Sequence, residues 1–310
     1  MDARVVCVMG PTASGKSDLA VALALRFGGE VVNADSMQVF AGLPIGTAAP
    51  TPDMLAAVPH HLFGHLRPDQ DPDAGAWARD AARTIAAIAA RGRVPIVVGG
   101  TFFWMRALFS GLSAIPPVPA DVRAQVAREM AREGVAAAHA RLAAIDPATA
   151  ARLAPGDTQR IARALEVHAA TGVPLSRFQQ TPPAPPLDAP VLRLILELPR
   201  DRLYARIEDR LDRMFADGLV DEVAAALAAG VPASARPLRS SSYLPVVDFL
   251  AGRCDRDAMR ERIAQGHRNY AKRQITWLKR EEGTRLAAGD RTGAFDAVAA
   301  FLGSATGIGG

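Results

Sequence analysis

Cysteine and lysine are scarce in this chain of 310 residues, which has two cysteines and, among its 36 basic side chains, three lysines. Cys7 and Cys254 alone build neither a disulfide framework nor a cysteine-ligated zinc site, and Cys7, inside an apolar run, reads as a small buried thiol. His60, His61 and His65 cluster without a carboxylate or cysteine pattern to complete a metal centre, so packing or hydrogen bonding is expected of them. No apolar run approaches the length of a membrane span, and Met1-Asp2 opens without the basic and apolar stretches of a signal peptide. A cytoplasmic protein without membrane contact is expected, and a monomer. No fixed-period repeat is present.

What is there begins with a 49% hydrophobic share, enough for a sizeable core, and a net charge of +4. The first 119 residues hold nine basic and nine acidic side chains, so the whole excess lies beyond them. It peaks along Arg253 to Arg285, where Arg256, Arg260, Arg268, Lys272, Arg273, Lys279 and Arg280 accompany Tyr270 and Trp277. Taken alone, such a run is more simply a solvated helix face. A polyanionic partner is the sharper alternative, and it needs other features that point to nucleic acid.

One of the three lysines falls in Gly10-Pro11-Thr12-Ala13-Ser14-Gly15-Lys16-Ser17, between the apolar run Val5–Met9 and a helical pattern reaching Phe27. The spacing G-x-x-x-x-G-K-S turns a strand into a helix through a loop whose backbone N–H groups converge on phosphate oxygens. The helix N-terminus adds its partial positive charge. The chain therefore binds a di- or triphosphate. Strand and helix patterns then alternate: Glu30–Asn33 is a short strand ending at Asp35, Ala74–Ala90 a helix, and Val94–Val98 a strand ending at Gly99-Gly100-Thr101. This is the pattern of parallel strands with crossover helices, and ligands bind such sheets outside the carboxyl ends of the strands. Gly10–Ser17, Asp35 and Thr101 all fall there.

Two proline clusters, Pro116-Pro117-Val118-Pro119 and Pro182-Pro183-Ala184-Pro185-Pro186, bracket a run of helical patterns at Asp121–Glu133, Val135–Ile145, Pro147–Leu153 and Asp157–Thr171. Stiff proline stretches read as the hinges of an insert. The fold class is therefore α/β, with a parallel-sheet core at 1–119 and 191–310 and a small helical domain inserted at 120–190. Val191–Leu198 returns as a strand, followed by helices at Asp201–Ala216, Val220–Ala229, Tyr243–Leu250 and Asp257–Lys279.

A phosphate loop does not name a reaction, since kinases, hydrolases and group transferases share it. Hydrolases of nucleoside triphosphates usually end a neighbouring strand with a metal-holding Asp, but here Pro95–Val98 ends in Gly99-Gly100-Thr101. Asp35 is the one carboxylate at a strand end in this half. It suits a general base or a group near a metal, and Ser36 and Gln38 can hydrogen-bond a polar ring beside it. An isolated Asp-Ser also closes turns. A small-molecule kinase and a non-catalytic RNA-binding protein are the rival readings at this point.

Six blocks in this order resemble the bacterial tRNA dimethylallyltransferase (tRNA isopentenyltransferase) family: Gly10–Ser17, Ala34–Val39, Ile45–Ala48, Val98–Thr101, Asp157–Val167 and Tyr270–Trp277. The resemblance runs from about residue 4 to about 282. It implies a P-loop NTPase-like core whose inserted helical domain grips the anticodon stem-loop. It also implies transfer, with Mg2+, of the dimethylallyl group of dimethylallyl diphosphate to the exocyclic amine of the adenosine 3′-adjacent to the anticodon. On this resemblance Asp35 and Thr101 are catalytic. Gly10, Pro11, Thr12, Ala13, Ser14, Gly15, Lys16, Ser17 and Arg210 bind the diphosphate, with Ser17 on the metal. Asp35, Ser36, Met37, Gln38 and Thr101, then Arg123, Gln159, Arg160, Ile161, Ala162 and Arg163, then Arg268, Lys272 and Arg273, contact tRNA. With an RNA partner implied, the basic stretch reads as a phosphate-binding surface. The chain departs from the family pattern at Phe40, Ala49, Phe102-Phe103-Trp104 and Ser242-Tyr243-Leu244-Pro245. These change the lining of the pocket and one loop, while every residue assigned to chemistry is kept.

Overall fold

The computed structural model describes residues 3–181 and 184–303; Met1-Asp2 and the Pro182-Pro183 pair read above lie outside them. The chain forms two compact units, residues Met1–Phe109 with Pro186–Gly310, and Ser110–Pro185. The second was expected at 120–190. It starts earlier because Ile115 and Val118 pack into its own apolar core.

The first unit is built on a six-stranded sheet. Its strands are β1 (Val5–Met9), β2 (Gly29–Asn33), β3 (His60–His61), β4 (Val94–Gly99), β5 (Val191–Glu197) and β6 (Thr284–Ala287), in the spatial order β3-β2-β4-β1-β5-β6. Every neighbouring pair is parallel. Each residue of β1, Val-Val-Cys-Val-Met, is buried, as a strand covered on both faces requires. Helices α1 (Lys16–Phe27), α2 (Pro44–Thr47), α3 (Pro52–Ala57), α4 (Ala74–Ala90) and α5 (Phe102–Phe109) follow the first strands. Leu19, Ala20, Leu23 and Ala24 on α1 pack with Val6, Val8, Ile96 and Leu194 of the sheet. α4 is capped by the Asp73 side chain and turns Trp77, Ala78, Ala81, Ile85 and Ile88 inward at helical spacing.

The second unit holds α6 (Ala120–Glu133), α7 (Val135–Ile145), α8 (Pro147–Ala150), α9 (Thr158–Thr171) and α10 (Leu175–Phe178). Val126, Met130, Ala138, Leu142, Ile161, Ala164 and Leu165 form its core. Asp146 is 2% exposed and fully used: it takes the amide of Thr149, the hydroxyl of Thr149 and the amide of Ser176. Those bonds hold its carboxyl below the usual carboxylate range against the opposing effect of burial. Asp157 caps α9, which closes at Gly172.

The rest of the first unit comprises α11 (Arg200–Ala216), α12 (Leu219–Ala228), α13 (Leu244–Leu250), α14 (Arg256–Leu278) and α15 (Arg291–Gly303). Leu203, Ile207, Leu211 and Met214 line the buried side of α11, and Leu203 and Ile207 pack on Ala271 of α14. α15 adds Ala294 and Val298 to the core beside α1. The sequence patterns stop short of β3, β6, α5 and α15. β3 and β6 are two and four residues long, too short to show an alternation. Among the described residues no helix is long and apolar enough to cross a membrane.

Candidate active site

The adjacent strands β2, β4 and β1 end together. Asn33 pairs with Val98 and Met9 with Gly99, so the turns that follow open on one edge of the sheet. After β1, the chain reaches α1 through Gly15 at φ 86°, a left-handed conformation suited to glycine. The amides of Ala13, Gly15, Lys16 and Ser17 have no protein acceptor among the described residues. They form a nest of donors at a helix N-terminus, where an anion fits. The Ser17 hydroxyl is likewise without a protein partner among those residues.

Lys16 Nζ lies 3.3 Å from the Pro11 carbonyl oxygen, to which it donates. Its pKa is pushed down to about 8 by burial first, then by the Arg210 charge, with the Asp35 carboxylate partly offsetting both. Arg210 Nη1 donates to Thr12 Oγ1 at 2.7 Å, while its buried Nε has no partner. Arg206, one turn earlier, donates to the Ser14 carbonyl at 3.3 Å. The loop thus carries cations from α1 and α11, short of anions to match them.

Asp35 stands across the crevice. Asn33 fixes the turn after β2: its Oδ1 accepts the Asp35 amide at 2.8 Å and its Nδ2 donates to the Asp35 carbonyl at 3.0 Å. Asp35 Oδ1 accepts the Met37 amide at 2.9 Å, so this carboxylate does close a turn, as an Asp-Ser pair can. Its Oδ2 has no hydrogen-bond partner among the described residues. Thr101 Oγ1 accepts the Ser36 amide at 3.0 Å and donates to Ser36 Oγ at 3.2 Å. Gly99 permits this closeness, because a Cβ there would stand 2.1 Å from the Ala34 carbonyl oxygen. Gln38 Nε2 donates to the carbonyls of Thr47 and Ala48 at 3.2 and 2.6 Å, and its Oε1 has no hydrogen-bond partner among the described residues.

Several residues of this site have no individual signal in the sequence. Glu222 of α12 accepts the amides of Ile45 and Gly46 at 2.7 and 3.0 Å, holding the α2 turn that Gln38 grips from its other end. Tyr243 OH meets Glu222 Oε1 at 2.6 Å, and burial beside that carboxylate pushes the phenol above its ordinary value. Tyr270 and Gln274 of α14 both donate to the Gly100 carbonyl, at 3.1 and 2.9 Å. Gln274 and His267 were findable as polar residues at inward positions of the α14 stripe Met259, Ile263, Ala264, Ala271 and Leu278. His267 meets Ser242 Oγ at 2.9 Å, and burial, then the Arg210 charge, pushes it down to about 3, so its ring is neutral.

The sequence-assigned contact residues divide. Arg123, Gln159 and Arg160 are exposed in the helical unit, whereas Ile161 is 0% exposed and belongs to its core, with Ala162 half-buried. The 3.6-residue period that points Ala164 and Leu165 inward takes Ile161 with it, so its side chain is withdrawn from the contact set. On α14, Arg268 is engaged by Glu208 and Glu261, Arg260 by Glu208 and Asp212, and Arg262 by Asp248. Lys272, Arg273, Lys279 and Arg280 are exposed and have no ion pair among the described residues. Arg273 lies over the Tyr270 ring, 5.7 Å from its centroid. Within the basic stretch Arg253, Arg260, Arg262 and Arg268 are therefore neutralised and Lys272, Arg273, Lys279 and Arg280 are left over, while Arg285 at its end pairs with Glu197. Of the clustered histidines, His61 bonds Glu30 at 2.6 Å and His60 the Val58 carbonyl at 2.8 Å.

The IPP transferase family model matches residues 38–281 and the isopentenyl transferase model residues 3–61. The chain is 49% identical over 294 residues to the tRNA dimethylallyltransferase of Halorhodospira halophila, covering 94% of this chain and 95% of that one. It is 46% identical over 278 residues to its namesake from Geobacter sulfurreducens, covering 90% and 89%. The crystal structure of the full-length tRNA isopentenylpyrophosphate transferase of Bacillus halodurans superposes with a TM-score of 0.69 at 31% identity, covering 98% of both chains. A eukaryotic dimethylallyltransferase solved acting on tRNA gives 0.77 at 25% identity over 94% of this chain and 75% of that one.

Proposed function

Because the chain belongs to the IPP transferase family, we propose that it transfers the dimethylallyl group of dimethylallyl diphosphate to the exocyclic N6 amine of the adenosine 3′-adjacent to the anticodon of tRNA. The observation that carries this reading is the placement of Asp35 across from Lys16 and Arg210, close enough that its charge acts on both. The adenine amine is a poor nucleophile, its lone pair being delocalised into the ring. The allylic carbon must become electrophilic before the amine can attack. The allylic C–O bond breaks, its electrons leave with the diphosphate, and the N6–C bond forms. The amides of Ala13, Gly15, Lys16 and Ser17, with the Lys16 and Arg210 side chains, hold the charge that builds on the departing oxygen. Preorganised donors of this kind usually lower the barrier of such a step more than any other device.

Mg2+, when bound, would supply further positive charge to stabilise the departing diphosphate. A hard cation takes oxygen ligands and keeps several waters, so one hydroxyl beside a diphosphate is a fitting protein contribution. Ser17 offers that hydroxyl, without a protein partner among the described residues. Asp35 Oδ2 takes the proton that the amine sheds as its nitrogen becomes cationic, and Thr101 positions that amine. A lone carboxylate at Asp35 suffices because the amine turns acidic only as the new bond forms.

The target adenosine must leave its stacked loop, at a cost of a few kcal/mol that contacts to the RNA return. Ser36, Met37 and Gln38 read the extruded base, Arg123, Gln159, Arg160 and Arg163 contact the stem-loop, and Lys272 and Arg273 meet phosphates. Incubation with unmodified tRNA, Mg2+ and radiolabelled dimethylallyl diphosphate tests the proposal, with ATP as the control co-substrate. Label in tRNA, at N6 of the adenosine after the anticodon, is the expected result. Label elsewhere, or consumption of ATP with an alcohol acceptor instead, would overturn it.

A further inference from the structure

Gln274 occupies a place that the reaction does not explain by itself. It is 2% exposed, on the inward face of α14. Its Oε1 accepts the Thr12 amide at 2.7 Å and its Nε2 donates to the Gly100 carbonyl at 2.9 Å. Since one partner is an N–H and the other a carbonyl, the orientation of the amide is fixed by chemistry. Thr12 sits in the phosphate loop and accepts Arg210 through Oγ1 at 2.7 Å. Gly100 precedes Thr101, and a Cβ on Gly100 would lie 2.3 Å from Gln274 Nε2 and 3.7 Å from Asp35 Oδ2. A single side chain thus bridges the loop that cradles the leaving group and the strand end that carries the acceptor-positioning Thr101.

We propose that Gln274 is a positioning residue that sets the separation between the departing diphosphate and the attacking amine by tying Thr12 to Gly100. The inference rests on the transferase reading above. It follows from geometry: the two halves of the site come from β1 and β4, strands paired only up to Met9 and Gly99. Beyond those residues, Thr12 and Gly100 share no backbone hydrogen bond, and the Gln274 amide supplies a connection. By occupying the Thr12 amide it also settles which loop amides remain for phosphate. Tyr270 OH backs the same Gly100 carbonyl but does not reach the loop. A bridge of this kind governs approach geometry rather than affinity, because each substrate still meets its own half of the site. Misplacement by about 1 Å costs on the order of 10²-fold in rate.

Glutamate is the informative replacement. As a carboxylate, Gln274→Glu accepts the Thr12 amide but turns a second acceptor toward the Gly100 carbonyl. Once protonated it is an isostere of the amide and donates there. Burial raises a carboxyl pKa, which brings this titration toward neutral pH. The titratable groups that flank its two partners are Asp35 from the β2 turn beside Gly100, Arg210 from α11 on Thr12, Lys16 from α1 on the Pro11 carbonyl next to Thr12, and Tyr270 of α14 on the Gly100 carbonyl.

The test measures single-turnover transfer with both substrates saturating, wild type in parallel, between pH 5.5 and 8.5. It also follows the Thr12 amide resonance in 15N-labelled protein without substrates. Expected for Gln274→Leu is a rate loss on the order of 10²-fold, with the KM for dimethylallyl diphosphate and the Kd for tRNA within about threefold of wild type. Gln274→Glu is expected to recover relative to wild type as pH falls, with the Thr12 resonance moving over the same pH range. A Gln274→Glu to wild-type rate ratio that stays flat across that range overturns the proposal. So does a Gln274→Leu rate within threefold of wild type, and if the leucine variant does not fold, the glutamate ratio decides alone. Absence of transfer by the wild type would count against the transferase reading, while the Thr12 resonance still reports whether the bridge exists.

Discussion

The charge of Lys16 gives the sharpest quantitative handle on the site. Its pKa of about 8 means that the empty protein loses this cation within the range where enzymes are assayed. If the protonated lysine is what receives the diphosphate, kcat/KM for dimethylallyl diphosphate tracks its protonated fraction in the free enzyme. That fraction is about 0.91 at pH 7 and about 0.09 at pH 9, a fall of roughly tenfold. Two neighbours fix the sign of mutant shifts. Asp35 raises the lysine pKa and Arg210 lowers it, so Asp35→Asn must move the alkaline limb below pH 8 and Arg210→Gln must move it above. The assay is initial-rate prenyl transfer at subsaturating diphosphate from pH 6 to 10, at constant ionic strength. Diphosphate binding by calorimetry in buffers of different ionisation enthalpy accompanies it, since binding near pH 8 should take up protons as the anion restores the lysine charge. Linkage sets the sign of a third readout. The folded pKa lies below the ordinary value of 10.5, so between about 8 and 10.5 the unfolded chain binds the proton that the folded one has lost. Thermal stability of the empty protein should therefore rise with pH across that window. Limbs that coincide in all three proteins, or that move in the opposite direction, would refute the reasoning.

Asp35→Asn should also lower single-turnover transfer by roughly 10²–10⁴-fold at the optimum, with much smaller changes in the binding of either substrate; rapid-quench rates at saturation measure it. Neutralising Lys272 or Arg273 should each reduce the salt slope of tRNA binding by about one unit. Arg268→Ala should change that slope less, because Glu208 and Glu261 already hold the guanidinium; filter binding over a salt series compares the three. Gly99→Ala puts a Cβ 2.1 Å from the Ala34 carbonyl oxygen, so it should push the Asp35 and Thr101 turns apart and abolish turnover, as a steady-state assay reads directly.

The phosphate loop, the helices α4 and α7 and the strand β1 were legible to the residue, because each carries a strong period or a motif with its own geometry. Asp35 and Thr101 were legible as strand ends, and the register of β2, β4 and β1 places them together. The long-range hydrogen bonds that frame the site were not legible. Glu222 reaches the Ile45 amide and Gln274 the Thr12 amide across 177 and 262 residues of chain, and local pattern carries no trace of such pairings. The basic stretch misled in the opposite direction. A count of arginines cannot tell that acids at Glu208, Asp212, Asp248 and Glu261 claim those near its start. Ile161 was drawn into the contact set by its neighbours in a family block, although its own helical phase points it inward.

The order of strands across the sheet also bears on how the chain assembles as it leaves the ribosome. β1 is the first strand made, yet its two neighbours, β4 and β5, pair through Ile96 and Val191, so one edge of β1 waits until nearly two hundred residues have been synthesised. The core beneath α1 stays open still longer, until Ala294 and Val298 of α15 arrive. Through that interval Val5, Val6 and Val8 belong to an apolar segment with unsatisfied backbone groups. A ribosome-bound chaperone has reason to attend such a stretch, and a premature stop before α15 would release a protein whose phosphate loop is intact but whose supporting helix lacks its cover.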